Sequence, residues 1–173
     1  DVLETYTLLG KVLGHQAQAA RARRRLEARL EAVQKGRAGR EPVSVLFVVG
    51  HNVGAIEGIY AAGGKSFVGQ ILRDSGGRNV LEDAAEAFPL VSKEALIRED
   101  PEVIVDAMPG DEASEDTLKK ARTAWARLPF LRAVRHHRVY FIRNDEMTIP
   151  GPTMVDLAEY LSGIFGEAQR DLR

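Results

Sequence analysis

Three stretches of this 173-residue chain carry side chains that could do chemistry. The first is His51, in Gly50-His51-Asn52-Val53-Gly54, directly after the apolar run Val43 to Val49. Imidazole is the commonest neutral metal ligand and can also grip a bound molecule by hydrogen bonds. The ordinary alternative is a loop histidine satisfied by its neighbours. The second is Gly58-Ile-Tyr-Ala-Ala-Gly63-Gly64-Lys65-Ser66, which carries the letters of a phosphate loop. That motif needs four residues between its first glycine and the Gly-Lys-Ser, and here the required position is Ile59, so the spacing fails. Amides at the start of a helix at Ser66 could still hold an anion. Tyr60, in the same stretch, could stack on a planar ligand or ligate iron through its phenolate; it could equally pack as a loop tyrosine. The third is Phe88-Pro89, an aromatic held before proline, which would either present a flat apolar face or plug the core.

Other reactive types carry less. His136 and His137 are adjacent on what reads as an extended approach to a strand, so they would point to opposite sides and share no metal; they read as turn residues. Arg21, Arg23, Arg24, Arg25 and Arg29 are interleaved with Glu27 and Glu31, as on a solvated helix face with spaced charge pairs. No carboxylate pair is placed by a motif, no serine has a nucleophile-elbow context, and neither a metalloprotease helix nor a complete dinucleotide fingerprint occurs. The absence of cysteine removes disulfides, thiolate zinc sites and thiol catalysis. These residues compose no catalytic constellation, so neither an enzyme nor a catalytic cofactor is expected from them. A net charge of -1 gives no global attraction to nucleic acid. No apolar run approaches the roughly 18 residues that span a bilayer, so no membrane insertion of this segment is expected.

The elements that must position these residues follow from periodicity. Residues 2–35 recur apolar at helical spacing, and Gly10 and Gly14 predict a break into two helices, the second running His15 to Lys35. Gly36, Gly39 and Pro42 form a stop and linker. Val43 to Val49 is a nearly continuous apolar, β-branched run, as in a parallel strand buried on both faces. A helix capped by Ser66 runs to Asp74 and closes at Gly76-Gly77. Ser92 to Arg98, Ser114 to Arg127, Pro129 to Val134 and Pro152 to Asp171 read as helical, while Glu102 to Ala107 and Val139 to Ile142 read as strands. Strands alternating with helices predict an α/β fold: a three-layer lobe with a mainly parallel sheet, preceded by a long helix.

From Ser66 the chain reads SFVGQILRDSGGRNVLEDAAEAFPLVSKEALIREDPEVIVDA. Its helix ends in Gly-Gly-x-Asn (Gly76, Gly77, Asn79). An aromatic-Pro-x-Val-Ser follows (Phe88, Pro89, Val91, Ser92), then Glu94 at a helix start, then Asp-Pro-x-x-Ile (Asp100, Pro101, Ile104). RAVRHHRVYFI and PGPTMVDLAEYL come later; in the second, Thr153 stands where arginine is common. In order and spacing these segments resemble the C-terminal lobe of the bacterial vitamin B12-binding proteins and their haem- and siderophore-binding relatives, over roughly residues 2–165.

That resemblance implies two α/β lobes joined by a long inter-lobe connecting helix, with ligand trapped between them. Residues 1–36 would hold the helical segment and 43–173 the C-terminal ligand-binding lobe, the N-terminal lobe being absent from this chain, which begins at Asp1. It implies the substrate-binding component of an ABC importer, periplasmic or a cell-surface lipoprotein. The ligand would be a small-molecule metal chelate: cobalamin or a related corrinoid, alternatively haem or a ferric siderophore. His51, Tyr60 and Phe88 would line the cleft, with His51 and Tyr60 as metal ligands only if the cargo is haem. Glu94 would meet arginines of the importer's transmembrane subunits. A different class, a nucleotide-using α/β enzyme built on Gly63-Gly64-Lys65-Ser66, stays open, as does a purely structural role. An exposed apolar strip is expected on the connecting helix.

Overall fold

The run Val43–Gly50 forms the central strand β1, and six of its eight residues are buried. Continuous burial is what a strand covered on both faces requires. The computed structural model describes residues 2–52, 54–108 and 114–170, with residue 145 described by its backbone alone. In chain order the elements are α1 (Val2–Val12), α2 (Gln16–Arg37), β1, β2 (Ile59–Ala61), α3 (Phe67–Asp74), β3 (Gly77–Asn79), β4 (Leu90–Val91), α4 (Lys93–Glu99), β5 (Val103–Ala107), α5 (Glu115–Ala126), α6 (Arg132–Arg135), β6 (Val139–Ile142) and α7 (Met154–Arg170), with a 3-10 turn at Asp145–Thr148.

The strands form one sheet in the order β4-β2-β1-β5-β6, with β3 also paired to β1. β3, β5 and β6 run parallel to their partners, with Val48 opposite Asp106 and Ala107 opposite Ile142. Alternate residues of β1 and β5 point into two separate cores. On one face Val43, Val45, Phe47, Val103, Val105 and Ala107 pack with residues of α2, α3 and α7. On the other, Leu46, Val48 and Ile104 pack with Leu96 of α4, Trp125 of α5 and Ala133 of α6. This is the three-layer lobe with a mainly parallel sheet.

Three features depart from the sequence reading. Tyr60 does not lie in a loop. It lies in β2, antiparallel to β1 and to β4, and these two short strands carry too few residues for any hydrophobic period. His136 and His137 do lie in a turn, but not on an extended segment: His136 caps α6 and His137 has φ +57°. The exposed apolar strip lies on α1, not on the long helix. Leu8, Leu9, Val12 and Leu13 of α1 and the turn after it are exposed, whereas Leu26 and Val33 of α2 are buried.

The break between the helices falls at Gly14, whose φ of +72° suits glycine. Gly10 does not break α1; a side chain there would collide with Ala19 of α2, so its role is close helix packing. α2 lies against α7, and the Arg29 guanidinium forks between Asp156 and Glu159 of α7 at 2.6 Å each.

Candidate functional site

The carboxyl ends of β1 and β5 open into a concavity of roughly 280 Å3 lined by Val49, Phe67, Val68, Phe88, Ala107 and Thr148. Open α/β sheets gather ligands at this end, where loops vary while the sheet stays fixed. Val49 and Ala107 supply the floor from neighbouring strands. Phe67 and Val68 enter from the first turn of α3, which Ser66 starts by accepting a hydrogen bond from the Gly69 amide at 2.9 Å. Phe88 forms one wall and is 42% exposed. Its backbone is tied on both sides: Gly63 donates to the Ala87 carbonyl at 2.9 Å and Ala61 to the Pro89 carbonyl at 3.1 Å. A half-exposed aromatic on so fixed a loop offers apolar area with little ordering cost.

His51 does not line this concavity. Its Nε2 lies 2.9 Å from Oδ2 of Asp106 and its Nδ1 lies 3.0 Å from the Asn52 carbonyl, so both ring nitrogens are occupied. The two side chains are 4% and 1% exposed. Trp125 donates its indole N–H to the same Asp106 oxygen at 2.8 Å, and its ring meets the imidazole edge-on at 6.2 Å between centroids. The bond to Asp106, outweighing burial, raises the His51 pKa to about 9. In this arrangement neither nitrogen is available to a metal. Among the described residues no group of three or more His, Asp or Glu could hold a metal ion.

The phosphate-loop letters have other work. Gly63 and Gly64 let the loop 81–87 pass close by, since a Cβ on either would collide with the backbone carbonyl of Glu86 or Glu82. The Gly63, Gly64 and Ser66 amides donate to Ala87, Leu81 and Gly63 carbonyls, and Lys65 Nζ donates to the Ala85 carbonyl at 2.9 Å. Amides already bonded within the chain do not form an anion cradle.

Tyr60 stands apart from Phe88's concavity. It pairs across β2–β4 with Leu90, and the two are 51% and 61% exposed. Glu94 is exposed in the first turn of α4, whose N-cap Ser92 accepts from the Ala95 amide at 3.1 Å. Hydrogen bonds from its own backbone N–H and from Ser92 hold its carboxyl below the usual range, so it is charged at neutral pH. Beside it, Lys93 is paired with Glu57 at 2.9 Å. Asn79 is buried and ties two loops, donating to the Ala62 carbonyl and accepting from the Leu81 amide, each at 2.9 Å.

Sequence reasoning missed Asp106 and Trp125. The signal was there: an aspartate inside the strand Val103-Ile-Val-Asp-Ala is a carboxylate that burial forces to find donors. It also missed Val49, Phe67, Ala107 and Thr148, which are ordinary apolar or small residues until the fold brings them to one opening.

The model of the family described as periplasmic binding protein matches residues 1–146. The chain belongs to that family. No curated protein matches this periplasmic binding protein. Among solved structures, an ABC-type Fe3+-hydroxamate transport system from Saccharomonospora viridis is 27% identical, with a TM-score of 0.79 over 95% of this chain and 55% of its own. The vitamin B12-binding protein BtuF of Vibrio cholerae is 20% identical, with a TM-score of 0.77 over 97% of this chain and 61% of that one. IsdE of S. aureus, complexed with heme, is 20% identical, with a TM-score of 0.76 over 94% and 63%. The chain thus spans about three-fifths of the length of these structures. None of its helices, among the described residues, is long and apolar enough to cross a membrane.

Proposed function

We propose that this periplasmic binding protein chain is the C-terminal lobe of the substrate-binding component of an ABC importer, working in the periplasm or anchored at the cell surface. It holds one wall of a cleft whose other wall is an N-terminal lobe, and α2 is the connecting helix. The cargo is a metal chelate that brings its own complete ligand set, first of all cobalamin or a related corrinoid. The observation that carries this reading is the concavity at the strand ends. Among the described residues its lining is apolar at Val49, Phe67, Val68, Phe88 and Ala107 and polar only at Thr148, and none of these side chains is a usual ligand of iron or cobalt. A macrocycle edge can rest on Phe88 by dispersion and stacking.

Ferric hydroxamate siderophore is the second reading, favoured by the 27% identity to the Fe3+-hydroxamate transport system. Haem is a third, and it requires an axial ligand; of the two candidates His51 is engaged by Asp106, which leaves Tyr60. Glu94 serves docking, a carboxylate favoured by the start of α4 and open to a forked contact with an arginine of the transmembrane subunits. The test is equilibrium dialysis of the two-lobed protein against cyanocobalamin, haem and a ferric hydroxamate. Saturable binding of cyanocobalamin supports the corrinoid. Binding of haem with a Soret shift lost in Tyr60→Phe moves the assignment to haem.

A further inference from the structure

We infer that His51, Asp106 and Trp125 form a clasp that positions the floor of the proposed ligand concavity. The backbone gives the reason for it. β1 and β5 are paired through Val48 opposite Asp106, and beyond that point β1 bulges between Val48 and Gly50. Val49 and Ala107, the two floor residues, lie at this place: Val49 is skipped in the β1–β2 register, and Ala107, paired with Ile142 of β6, lies one residue past the last partner pair of β1 and β5.

Side chains add a second tie between β1 and β5 there, on the opposite face of the sheet. His51 Nε2 meets Asp106 Oδ2 at 2.9 Å, so the residue two beyond Val49 is bonded to the residue just before Ala107. Trp125, 1% exposed in α5, locks the same oxygen at 2.8 Å and walls the pair off from water. The other imidazole nitrogen holds the Asn52 carbonyl, which also accepts from the Ala55 amide, while the Asn52 amide donates to the Glu57 carbonyl. One histidine thus orients the start of the β1–β2 loop and the end of β1 together. A buried, charge-assisted pair has a defined geometry, which apolar contacts in this corner would not impose. His51 is a positioning residue: it acts on cargo through Val49, not by touching it.

The inference rests on reading the concavity as the ligand wall, and the experiment separates the two. Backbone hydrogen exchange and cyanocobalamin and ferric hydroxamate affinity are measured on the two-lobed protein as wild type, His51→Ala and His51→Gln. Glutamine keeps a donor toward Asp106 without the ring. The clasp predicts that His51→Ala speeds exchange at Asn52 and Ala55 about tenfold or more, leaves Val105 in mid-strand unchanged, and weakens chelate binding about tenfold. His51→Gln recovers most of both. The single tryptophan adds a spectroscopic readout: its indole proton resonance titrates with His51 in the wild type and loses that titration in His51→Gln. If His51→Ala does not fold, Trp125→Phe replaces it, with the same loosening at Asn52 expected from the lost indole bond. Unchanged exchange at Asn52 and Ala55, or binding that falls while exchange does not, overturns the clasp. If neither probe binds the wild type, the ligand reading fails and the exchange measurement still decides the clasp.

Discussion

Asp106 Oδ2 receives two donors at once, the His51 imidazole at 2.9 Å and the Trp125 indole at 2.8 Å. This buried corner makes stability depend on pH in a definite direction. The folded-state pKa of His51 is raised from 6.5 to about 9, chiefly by the bond to Asp106. A raised pKa means that the folded protein holds the proton more tightly than the unfolded chain. The stabilisation is therefore complete below pH 6.5 and is lost as pH rises through about 9. Denaturant unfolding of the wild type between pH 6.5 and 10 should show a loss on the order of 1–3 kcal/mol that His51→Gln lacks. Identical pH profiles would remove the ion pair from the account.

Gly64 and Lys65 separate the structural from the nucleotide reading of one motif. A methyl at residue 64 would collide with the Glu82 carbonyl, a backbone atom that cannot swing aside. Gly64→Ala should lower stability by ~1–3 kcal/mol, as overpacking does. Lys65→Ala, at a side chain bonded to a single carbonyl, should stay within about 0.5 kcal/mol of wild type. Calorimetry with ATP should show no binding in either protein, and tight ATP binding abolished by Lys65→Ala would reverse the assignment.

Glu94→Gln isolates docking from folding. The carboxylate is exposed and its hydrogen bonds are local to the first turn of α4. The denaturation midpoint should therefore barely move. Capture of the importer's transmembrane subunits by the two-lobed protein should weaken, and chelate affinity should not. Unchanged capture would place docking elsewhere.

Phe88→Ala tests the wall itself. The ring is 42% exposed, so its loss costs the fold little, while the backbone bonds at Ala87 and Pro89 keep the loop in place. Affinity for cyanocobalamin should fall about tenfold or more, the loss of one stacked aromatic contact. An affinity within twofold of wild type would take Phe88 out of the site.

The layered fold was legible because strong periodicities announce long elements. Val43–Gly50 and Val103–Ala107 are apolar but for Ser44 and Asp106, and Ser66, Ser92 and Ser114 each cap the helix that the sequence assigned to them. β2, β3 and β4 were not legible. They hold two or three residues each, and their pairing is set by β1 and by the loop around Phe88, not by a local pattern. The same limit governs the site. Phe88 could be marked in sequence by its place before proline. Val49 and Ala107 become partners only when β1 and β5 lie side by side. His51 was correctly placed at a strand end, but its neighbour in space, Asp106, is 55 residues away. Tertiary pairing, not residue type, therefore decided that the imidazole faces a carboxylate.

The central claim is that the concavity beyond β1 and β5 is half of a cleft for a metal chelate. Its most direct test is a visible-absorption titration of the two-lobed protein with cyanocobalamin, haem and a ferric hydroxamate, repeated on this chain alone. The account predicts saturable binding of a chelate by the two-lobed protein, cyanocobalamin first, and an affinity weaker by a hundredfold or more in this chain, since each ~1.4 kcal/mol of lost contact is a factor of ten. Equal affinity in the two proteins, or no saturable binding of any of the three chelates by the two-lobed protein, would contradict it.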